Sequence, residues 1–394
     1  MTAFTAEAAA RLPGPEWMQE RRAAAAERFA DSGLPTEAEE VWRYSRISEL
    51  DLDAYTLATH SAHVEAPDGV VITQLDDAPD GDEVLGSVAA SSTDAFTELG
   101  TAFVTGGLIV DVPRGVVVEQ PITIVHEVNA DGSAVFPRTI VRLGESAQAT
   151  VVEHHRSADV AAFVGPVVEL DVGAAARLSY TVVQELGPRV WQTAYQASRV
   201  GRDAELRSAA VALGGDYARL RTDSRLEGQG ATSYLLAVYF GAGSGMHDFR
   251  TMQDHSAPST TSDLLFKGAV QDRAQSVYSG LIRVRKEGAG TNAYQTNRNL
   301  VLSEGARAES VPNLEIEIND VKCSHASAVG PIDDDQRYYL ESRGIPPDVA
   351  ERLIVLGFFS EVLEALPTQA LIDTLRGAVS AKLAQRPTVS ESER

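Results

Sequence analysis

A short glycine and alanine pattern recurs along the middle of this chain at an almost constant spacing. Four copies of Gly-x-x-Ala start 29, 28 and 27 residues apart, and alternating apolar and polar residues follow each of them. These copies are Gly144–Ala147, Gly173–Ala176, Gly201–Ala204 and Gly228–Ala231. The pattern returns at Gly305–Ala308, and Gln271–Ala274 is a degenerate copy. A period of this length in strands and turns is typical of stacked coils, which bury their inward rows only against one another.

The repeat therefore predicts a mainly β fold, a β-solenoid or parallel β-helix that spans residues 101–330. We expect the glycine to permit a tight corner and the alanine to fit where the coil turns inward. Sandwiches and barrels also contain many short strands, but they seldom repeat one corner signature at one spacing.

Residues 1–60 are predicted to form an N-terminal helical segment. Glu16–Phe29 is rich in helix formers, and Pro35–Tyr44 has the composition of a second capped helix. Residues 61–100 are acidic and contain several prolines and glycines, which indicates a loose connection.

Residues 331–386 are predicted to form a C-terminal helical segment. Three helix starts are indicated, by the acidic run at Asp333, by Pro346 and by Pro367. Residues 387–394 are polar, and we expect them to be a frayed tail.

The composition excludes several classes of protein. A formal charge of -22 disfavours a nucleic-acid partner and an anionic membrane surface, because there is no basic excess to neutralise phosphates. One cysteine excludes a disulfide framework and suits a reducing compartment. The N-terminus lacks the pattern of a secretory signal, and no uncharged apolar run reaches the ~18 residues of a membrane helix. We therefore expect a cytoplasmic protein.

Several motifs resemble catalytic or ligand-binding sites without meeting their requirements. His154 and His155 are neighbours on a predicted strand and must point to opposite faces, so they cannot both enter one site. We interpret His154, His155 and His255, which follows Asp254, as surface or core histidines without a functional role. Gly241–Gly245 lacks the full pattern of a nucleotide-binding loop and is predicted to be a flexible turn.

Cys323, the single cysteine, stands two residues before His325. If both lie on the last strand of the solenoid, they share one face and are about 6.5 to 7 Å apart along the strand. A thiolate and an imidazole suit iron, zinc or copper, but two ligands do not close a metal site. A buried, inert cysteine is the alternative interpretation.

At several points the sequence resembles the SufB/SufD family of the SUF iron–sulfur cluster assembly system. The stretches that carry the resemblance are Gly33–Thr36, Trp42–Tyr44, Asp254–Gly268, Asn292–Leu300, Pro312–Ile316, Asp320–His325 and Tyr338–Ile345. The Val-Lys-Cys-Ser-His form at Val321–His325 and the length of 394 residues are closer to the SufD branch. Ala326 departs from the glycine that SufD chains often have there.

The resemblance implies a right-handed parallel β-helix flanked by helices, and a scaffold subunit that is not an enzyme. It also implies pairing with SufB through the last strands and docking of the C-terminal helices onto the SufC ATPase, in a complex of one SufB, one SufD and two SufC. His325 would then act with a SufB cysteine where a transient iron–sulfur cluster or iron is bound, and Cys323 would be a bystander.

The C-terminal segment offers the surface for SufC binding on this interpretation. An apolar row at helical spacing either packs on the chain's own body or fills a groove of the partner. The residues expected to bind the partner are Tyr339, Ile345, Val349, Leu353, Leu356, Phe358 and Phe359.

Two alternatives remain at this point. One is a SufB-like subunit that pairs with itself, or a homodimer of the isolated chain. The other is a β-helix enzyme that acts on acidic polysaccharides, although the acidic balance and the missing signal count against it.

Overall fold

A computed structural model of the chain describes residues 3–89 and 94–384. The strands are β1 Thr56–Leu57, β2 His63–Glu65, β3 Val71–Gln74, β4 Gly107–Val112, β5 Ile122–Val128, β6 Ser133–Val135, β7 Arg138–Leu143, β8 Gln148–Ser157, β9 Ala162–Val164, β10 Val167–Val172, β11 Arg177–Glu185, β12 Val190–Val200, β13 Glu205–Ala212, β14 Tyr217–Leu226, β15 Thr232–Gly241, β16 Met246–His255, β17 Thr261–Val270, β18 Gln275–Val284, β19 Thr291–Val301, β20 Arg307–Ile316 and β21 Val321–Gly330. The helices are α1 Ala6–Ala10, α2 Glu16–Ser32, α3 Gly81–Val84, α4 Ala95–Ala102, α5 Asp334–Ser342, α6 Pro347–Leu363 and α7 Gln369–Ala384.

The predicted solenoid is confirmed, with about 8 turns. Each coil gives one strand to each of two parallel sheets. Sheet 1 runs in the order β4, β7, β10, β12, β14, β16, β18, β20, and sheet 2 in the order β5, β8, β11, β13, β15, β17, β19, β21. Because alternate side chains point inward, the space between the sheets holds the core, with separate apolar clusters in the first, middle and last coils.

The repeated glycine lies at the corner of the coil, as expected, and it is needed there for close approach between coils. A Cβ at Gly173 would lie 2.6 Å from the carbonyl oxygen of Leu143 in the preceding coil, and one at Gly228 would overlap the backbone of Arg202. The left-handed angle falls later in the turn, with φ of 61° at Ser146 and 57° at Asp203. The alanines at the ends of the first four copies are buried, as predicted: Ala147, Ala176, Ala204 and Ala231.

The other two copies of the pattern lie at the opposite corner of the coil. Gln271–Ala274 connects β17 of sheet 2 to β18 of sheet 1, and its turn closes with a bond from Ala274 N to Gln271 O of 3.0 Å. At the next corner of this kind, the turn closes with a hydrogen bond from Ala306 N to Ser303 O. The Gly305–Ala308 pattern therefore starts two residues after the first residue of the turn. Only the first four copies therefore mark equivalent positions.

The N-terminal segment packs against the outer face of sheet 1. The predicted helix at Glu16–Phe29 is confirmed as α2, but the second one, at Pro35–Tyr44, is wrong. Only a single 3-10 turn forms there, because the Trp42 ring packs against the Arg219 guanidinium, with 3.7 Å between the guanidinium carbon and the ring centre. Tyr44 has a φ of 65°, which is not a helical angle. Tertiary packing overrides the local signal.

The acidic stretch that follows is not a loose connection. In its described part, β2 pairs antiparallel with β5 and β3 pairs antiparallel with β4, so both strands of the first coil are covered. Leu75, Val84 and Leu85 are buried in a small core with Met18 of α2. The domain boundaries inferred from the sequence stay predictions.

Helices α5 to α7 follow the last strand and begin where the sequence indicated. Asp333 caps α5 by accepting bonds from Asp335 N and Gln336 N, and Pro347 is the first residue of α6. Helices α6 and α7 pack on the outer face of sheet 2. None of the described helices is both long and apolar enough to cross a membrane. Residues 385–394, which include the predicted tail, lie outside the described part.

Candidate functional site

The last coil, formed by β20 and β21, has a strand neighbour on one side only. The register with β18 and β19 identifies the inward-facing residues of these strands. They are Ala308, Ser310, Pro312, Leu314 and Ile316 on β20, and Val321, Cys323, His325, Ser327 and Val329 on β21. None of these side chains is fully buried, and Ile316 and Val329 are 43% and 45% exposed. We call this inward-facing surface of the last coil the open end.

Cys323 and His325 both lie on β21, and they share its inward face as the strand prediction required. Cys323 is aligned with Ala293 of the preceding coil and is half-buried beside Val284 and Ile282. Burial raises the pKa of its thiol, although a hydrogen bond with the backbone of Ala293 acts in the opposite direction. His325 is aligned with Gln295 and is exposed. The imidazole is therefore the more accessible of the two ligands.

Two polar side chains without partners among the described residues lie at or just inside the last coil: Gln295, which is aligned with His325 one coil inward, and Ser310 on β20. The buried Gln295 amide and the Ser310 hydroxyl make no hydrogen bond with any described residue. Buried polar groups of this kind are normally satisfied, so the open end has unmet hydrogen-bonding capacity as well as apolar surface.

The C-terminal residues predicted to bind a partner are divided between two faces of the helices. Tyr339 and Leu353 are exposed, at 56% and 45%, whereas Phe359 is completely buried against sheet 2 together with Val355. The remaining four are half-buried: Ile345, Val349, Leu356 and Phe358. Phe359 packs on the chain's own body, so including it in an accessible partner surface was wrong.

A groove of about 560 Å³ lies between α5, α6 and the end of β19. Its walls include Leu300, Pro331, Leu340, Leu353, Ile354 and Phe358. Behind it, the Lys267 ammonium bonds the Phe358 carbonyl at 2.8 Å and the Glu361 carboxylate at 2.6 Å. These contacts attach α6 to β17, so the helix that forms one wall of the groove is fixed to the solenoid.

A second cluster of ligand-type side chains is buried in the first two coils. His126 on β5 is aligned with His155 on β8, and their rings stack with centroids 4.5 Å apart. Glu153, two residues before His155, points to the same inward face. Its Oε1 atom lies 2.9 Å from His126 Nε2 and 3.3 Å from His155 Nε2. The three ligand atoms are all within 4.8 Å of one another.

Further contacts fix this cluster. The Tyr180 hydroxyl donates to Glu153 Oε2 at 2.8 Å, and the Thr139 hydroxyl donates to Oε1 at 3.0 Å. His60 Nε2 and His126 Nδ1 share a hydrogen bond of 2.8 Å. Burial, helped by the rings of His126 and His155, lowers the pKa of His60 to about 3.

The carboxylate of Glu153 stays ionised in this environment. Burial alone would raise its pKa, but hydrogen bonds and charge interactions with His126 and His155 outweigh burial and hold the pKa below its ordinary range. Burial also lowers the pKa of His155, and the neighbouring His126 adds to the effect.

Sequence reasoning missed this cluster, because only a pair of adjacent histidines was considered. The two do point to opposite faces: His154 faces outward and contacts Glu185 Oε2 at 2.6 Å. The missing ligand, His126, lies 29 residues before His155, which is one coil of the repeat. Applying the repeat spacing to the histidines would have indicated the pair.

The remaining motifs have structural explanations. His255 is buried and shares hydrogen bonds with the Thr260 and Ser262 hydroxyls at 2.8 and 2.9 Å. Asp254 accepts two bonds from Arg285. Gly241–Gly245 forms the turn between β15 and β16, with Gly243 at a φ of 64°.

Comparisons with known proteins agree with the fold. The family described as SUF system FeS cluster assembly, SufBD core domain, matches residues 126–358, and the SufBD protein N-terminal region matches residues 53–124. A SufBD family protein of Mycobacterium tuberculosis is 34% identical over 362 residues, 89% of each chain. SufD of Escherichia coli is 30% identical over 383 residues, 90% of each chain. SufD of Bacillus subtilis is 30% identical over 293 residues, which cover 73% of this chain and 67% of that protein.

Proposed function

Because this chain belongs to the SufB/SufD family of iron–sulfur cluster assembly proteins, we propose that it is a SufD-type scaffold subunit without catalytic activity of its own. Its role lies in iron–sulfur cluster assembly. The proposal goes further: the chain pairs with SufB at the open end, and the nascent cluster or its iron is handled there as cargo. The comparisons favour this function over an enzyme that acts on polysaccharides.

The observation that supports the proposal most strongly is the uncovered last coil. Two edge strands with free hydrogen-bonding groups, above a half-exposed apolar row, form a surface that pairs readily with another chain. Strand addition by a second solenoid would extend both sheets and bury Ile316 and Val329.

His325 is the side chain that we assign to cluster assembly. Its imidazole is exposed at the surface that the partner would cover, and imidazole nitrogen binds iron. Cys323 is the weaker candidate, since the thiolate is the ligand form and burial raises the pKa of this thiol. One imidazole does not complete a site, so SufB would supply the other ligands.

The exposed side of α5 and α6 is the surface that we assign to the SufC ATPase. Leu353 and Phe358 line the groove described above. Tyr339, Ile345, Val349 and Leu356 lie on the same two helices or the turn between them, and each is exposed or half-buried. Since Lys267 attaches α6 to β17, a movement of the ATPase would act on the solenoid and through it on the open end.

Cluster reconstitution on the complex of SufB, SufC and this chain tests the role of His325. We expect His325→Ala to abolish or strongly reduce assembly while the size of the complex is unchanged, and Cys323→Ser to assemble normally. Normal assembly with His325→Ala would mean that the chain has only a structural role in the complex. Loss of cluster assembly with Cys323→Ser but not with His325→Ala would mean that Cys323, and not His325, takes part in assembly.

A binding measurement tests the docking surface. We expect Leu353→Asp to weaken SufC binding at least tenfold, because it introduces a charge at the rim of an apolar groove. Val117→Asp is the matched control: Val117 is exposed in the first coil, far from α6. Equal affinity of both variants would contradict the assignment. Size measurement of the chain with and without SufB separates a heterodimer from the SufB-like, self-pairing alternative.

A further inference from the structure

We propose that His126, Glu153 and His155 bind a divalent first-row transition metal ion inside the first two coils. This site is separate from the open end. It does not depend on the proposed function, since it is formed by residues of this chain alone.

The distances between the ligand atoms agree with such an ion. With metal–ligand bonds of about 2.0 to 2.2 Å, neighbouring ligand atoms lie about 2.8 to 3.6 Å apart in octahedral or tetrahedral geometry. Glu153 Oε1 lies 2.9 Å from His126 Nε2 and 3.3 Å from His155 Nε2. Both imidazoles thus present Nε2 toward one carboxylate oxygen. All three ligand atoms lie within 4.8 Å of one another.

The partners of the buried carboxylates also distinguish Glu153. Two other fully buried carboxylates have guanidinium partners: Glu169 pairs with Arg138, and Asp248 pairs with Arg219 and Arg250. For Glu153 the only basic partners among the described residues are the two histidines. Its neighbours are therefore imidazoles, which can bind a metal ion, and not a guanidinium, which cannot.

The surrounding residues orient the ligands as in known metal sites. A histidine ligand usually makes a hydrogen bond through its other ring nitrogen, and ligating carboxylates are themselves hydrogen-bonded. His126 makes this bond through Nδ1 to His60, and Glu153 accepts bonds from Tyr180 and Thr139. These contacts hold the His126 ring and the carboxylate before any ion arrives, whereas His155 Nδ1 has no hydrogen-bond partner among the described residues.

The ligand set indicates the class of metal. Two imidazoles and one carboxylate are typical of iron(II) and zinc(II) sites that keep further positions open. The ligands themselves are almost fully buried, whereas His60, which covers His126, is only half-buried. The segment that carries His60, between β1 and β2, is therefore the shortest route by which an ion enters.

Cobalt(II) is a suitable probe, because its visible absorption reports the ligands. The full-length chain is freed of metal with a chelator, titrated with cobalt(II), desalted and assayed for bound metal. We expect about one ion per chain, displaced by zinc(II). Glu153→Gln preserves the shape of the side chain and should reduce affinity at least tenfold, as should His155→Gln. Anaerobic iron(II) and zinc(II) titrations then identify the preferred metal.

Two controls separate this site from other places where metal could bind. His154→Gln removes the outward-facing neighbour, and the double variant Cys323→Ser, His325→Ala removes the ligands at the open end; both should still bind one ion. If wild type retains no metal, or if Glu153→Gln binds as wild type does, the proposal is wrong. Loss only in the double variant would locate the ion at the open end. If Glu153→Gln does not fold, His155→Gln decides the question.

Discussion

The two ends of the solenoid are built differently. At the first coil, β2 and β3 reverse direction and pair antiparallel with β5 and β4, which covers both strands with the chain's own residues. At the last coil, β20 and β21 each have one strand neighbour, and their inward-facing side chains are half-exposed. Strands β2 and β3 are also edge strands, but they have only 3 and 4 residues, and a short edge strand offers little for pairing. Strands β20 and β21 each present an edge of 10 residues. This difference is the basis of our proposal that another chain covers the open end.

The histidines at the two ends differ in the same way. His126 and His155 are enclosed with an ionised carboxylate and share hydrogen bonds. His325 is exposed on an edge strand. The first arrangement lies within one chain, whereas the second, on our proposal, becomes a ligand set only when a partner contributes to it.

The sharpest contrast in stability is expected between two inward-facing leucines. Leu264 is fully buried in the sixth coil, so Leu264→Ala should reduce the free energy of unfolding by about 2–5 kcal/mol. Leu314 faces inward in the last coil but is only half-buried, so Leu314→Ala should have a clearly smaller effect in the chain alone. Denaturant unfolding measures both. Equal losses would mean that the last coil is already covered in the isolated chain.

A smaller effect is expected from a methyl group added at a glycine. Gly228→Ala introduces a Cβ that overlaps the backbone of Arg202, and overpacking of this kind costs about 1–3 kcal/mol. Gly330, at the end of β21, has nothing within 4 Å of a Cβ, so Gly330→Ala should change stability by less than about 0.5 kcal/mol. Similar unfolding midpoints for the two variants would argue against close contact between the coils at their corners.

A third prediction concerns pH and the inward-facing His255. Burial lowers its pKa to about 4, whereas an unfolded histidine has a pKa of about 6.5. The unfolded chain therefore binds the proton first as the pH falls. The stability that a neutral His255 provides is complete above pH about 6.5 and is lost toward pH about 4.

The variant His255→Gln has no titrating ring but can still bond Thr260 and Ser262. Its loss of stability between pH 7 and pH 5 should be smaller than that of wild type by about 2 kcal/mol. Urea unfolding at the two pH values measures the difference. An identical loss in both proteins would mean that the core does not hold this ring neutral.

Much of the fold was predictable because a repeat is a property of the sequence. The spacing of four corners predicted the stacked coils, and proline and acidic residues located the starts of α5 and α6. The second N-terminal helix was not predictable, since the burial of Trp42 under Arg219 depends on residues more than a hundred positions apart in the chain. The strands β2 and β3 were missed for a similar reason: an acidic, proline-containing stretch becomes ordered only by pairing with the first coil.

The candidate sites were also predictable only in part. Strand alternation alone predicted that Cys323 and His325 share a face. It did not predict that Phe359 turns toward sheet 2 while Leu353 faces away, because the rotation of a helix is decided by what it packs against. The buried cluster required alignment between coils, which single motifs do not provide.

Amide hydrogen exchange, measured on the chain alone and with SufB, tests the central claim most directly. We predict that β20 and β21 gain protection when SufB is added, while β5 and β8 of the first two coils exchange as before. If protection appears elsewhere on the chain, or if the last two strands are unaffected in a complex that has formed, the open end is not the interface.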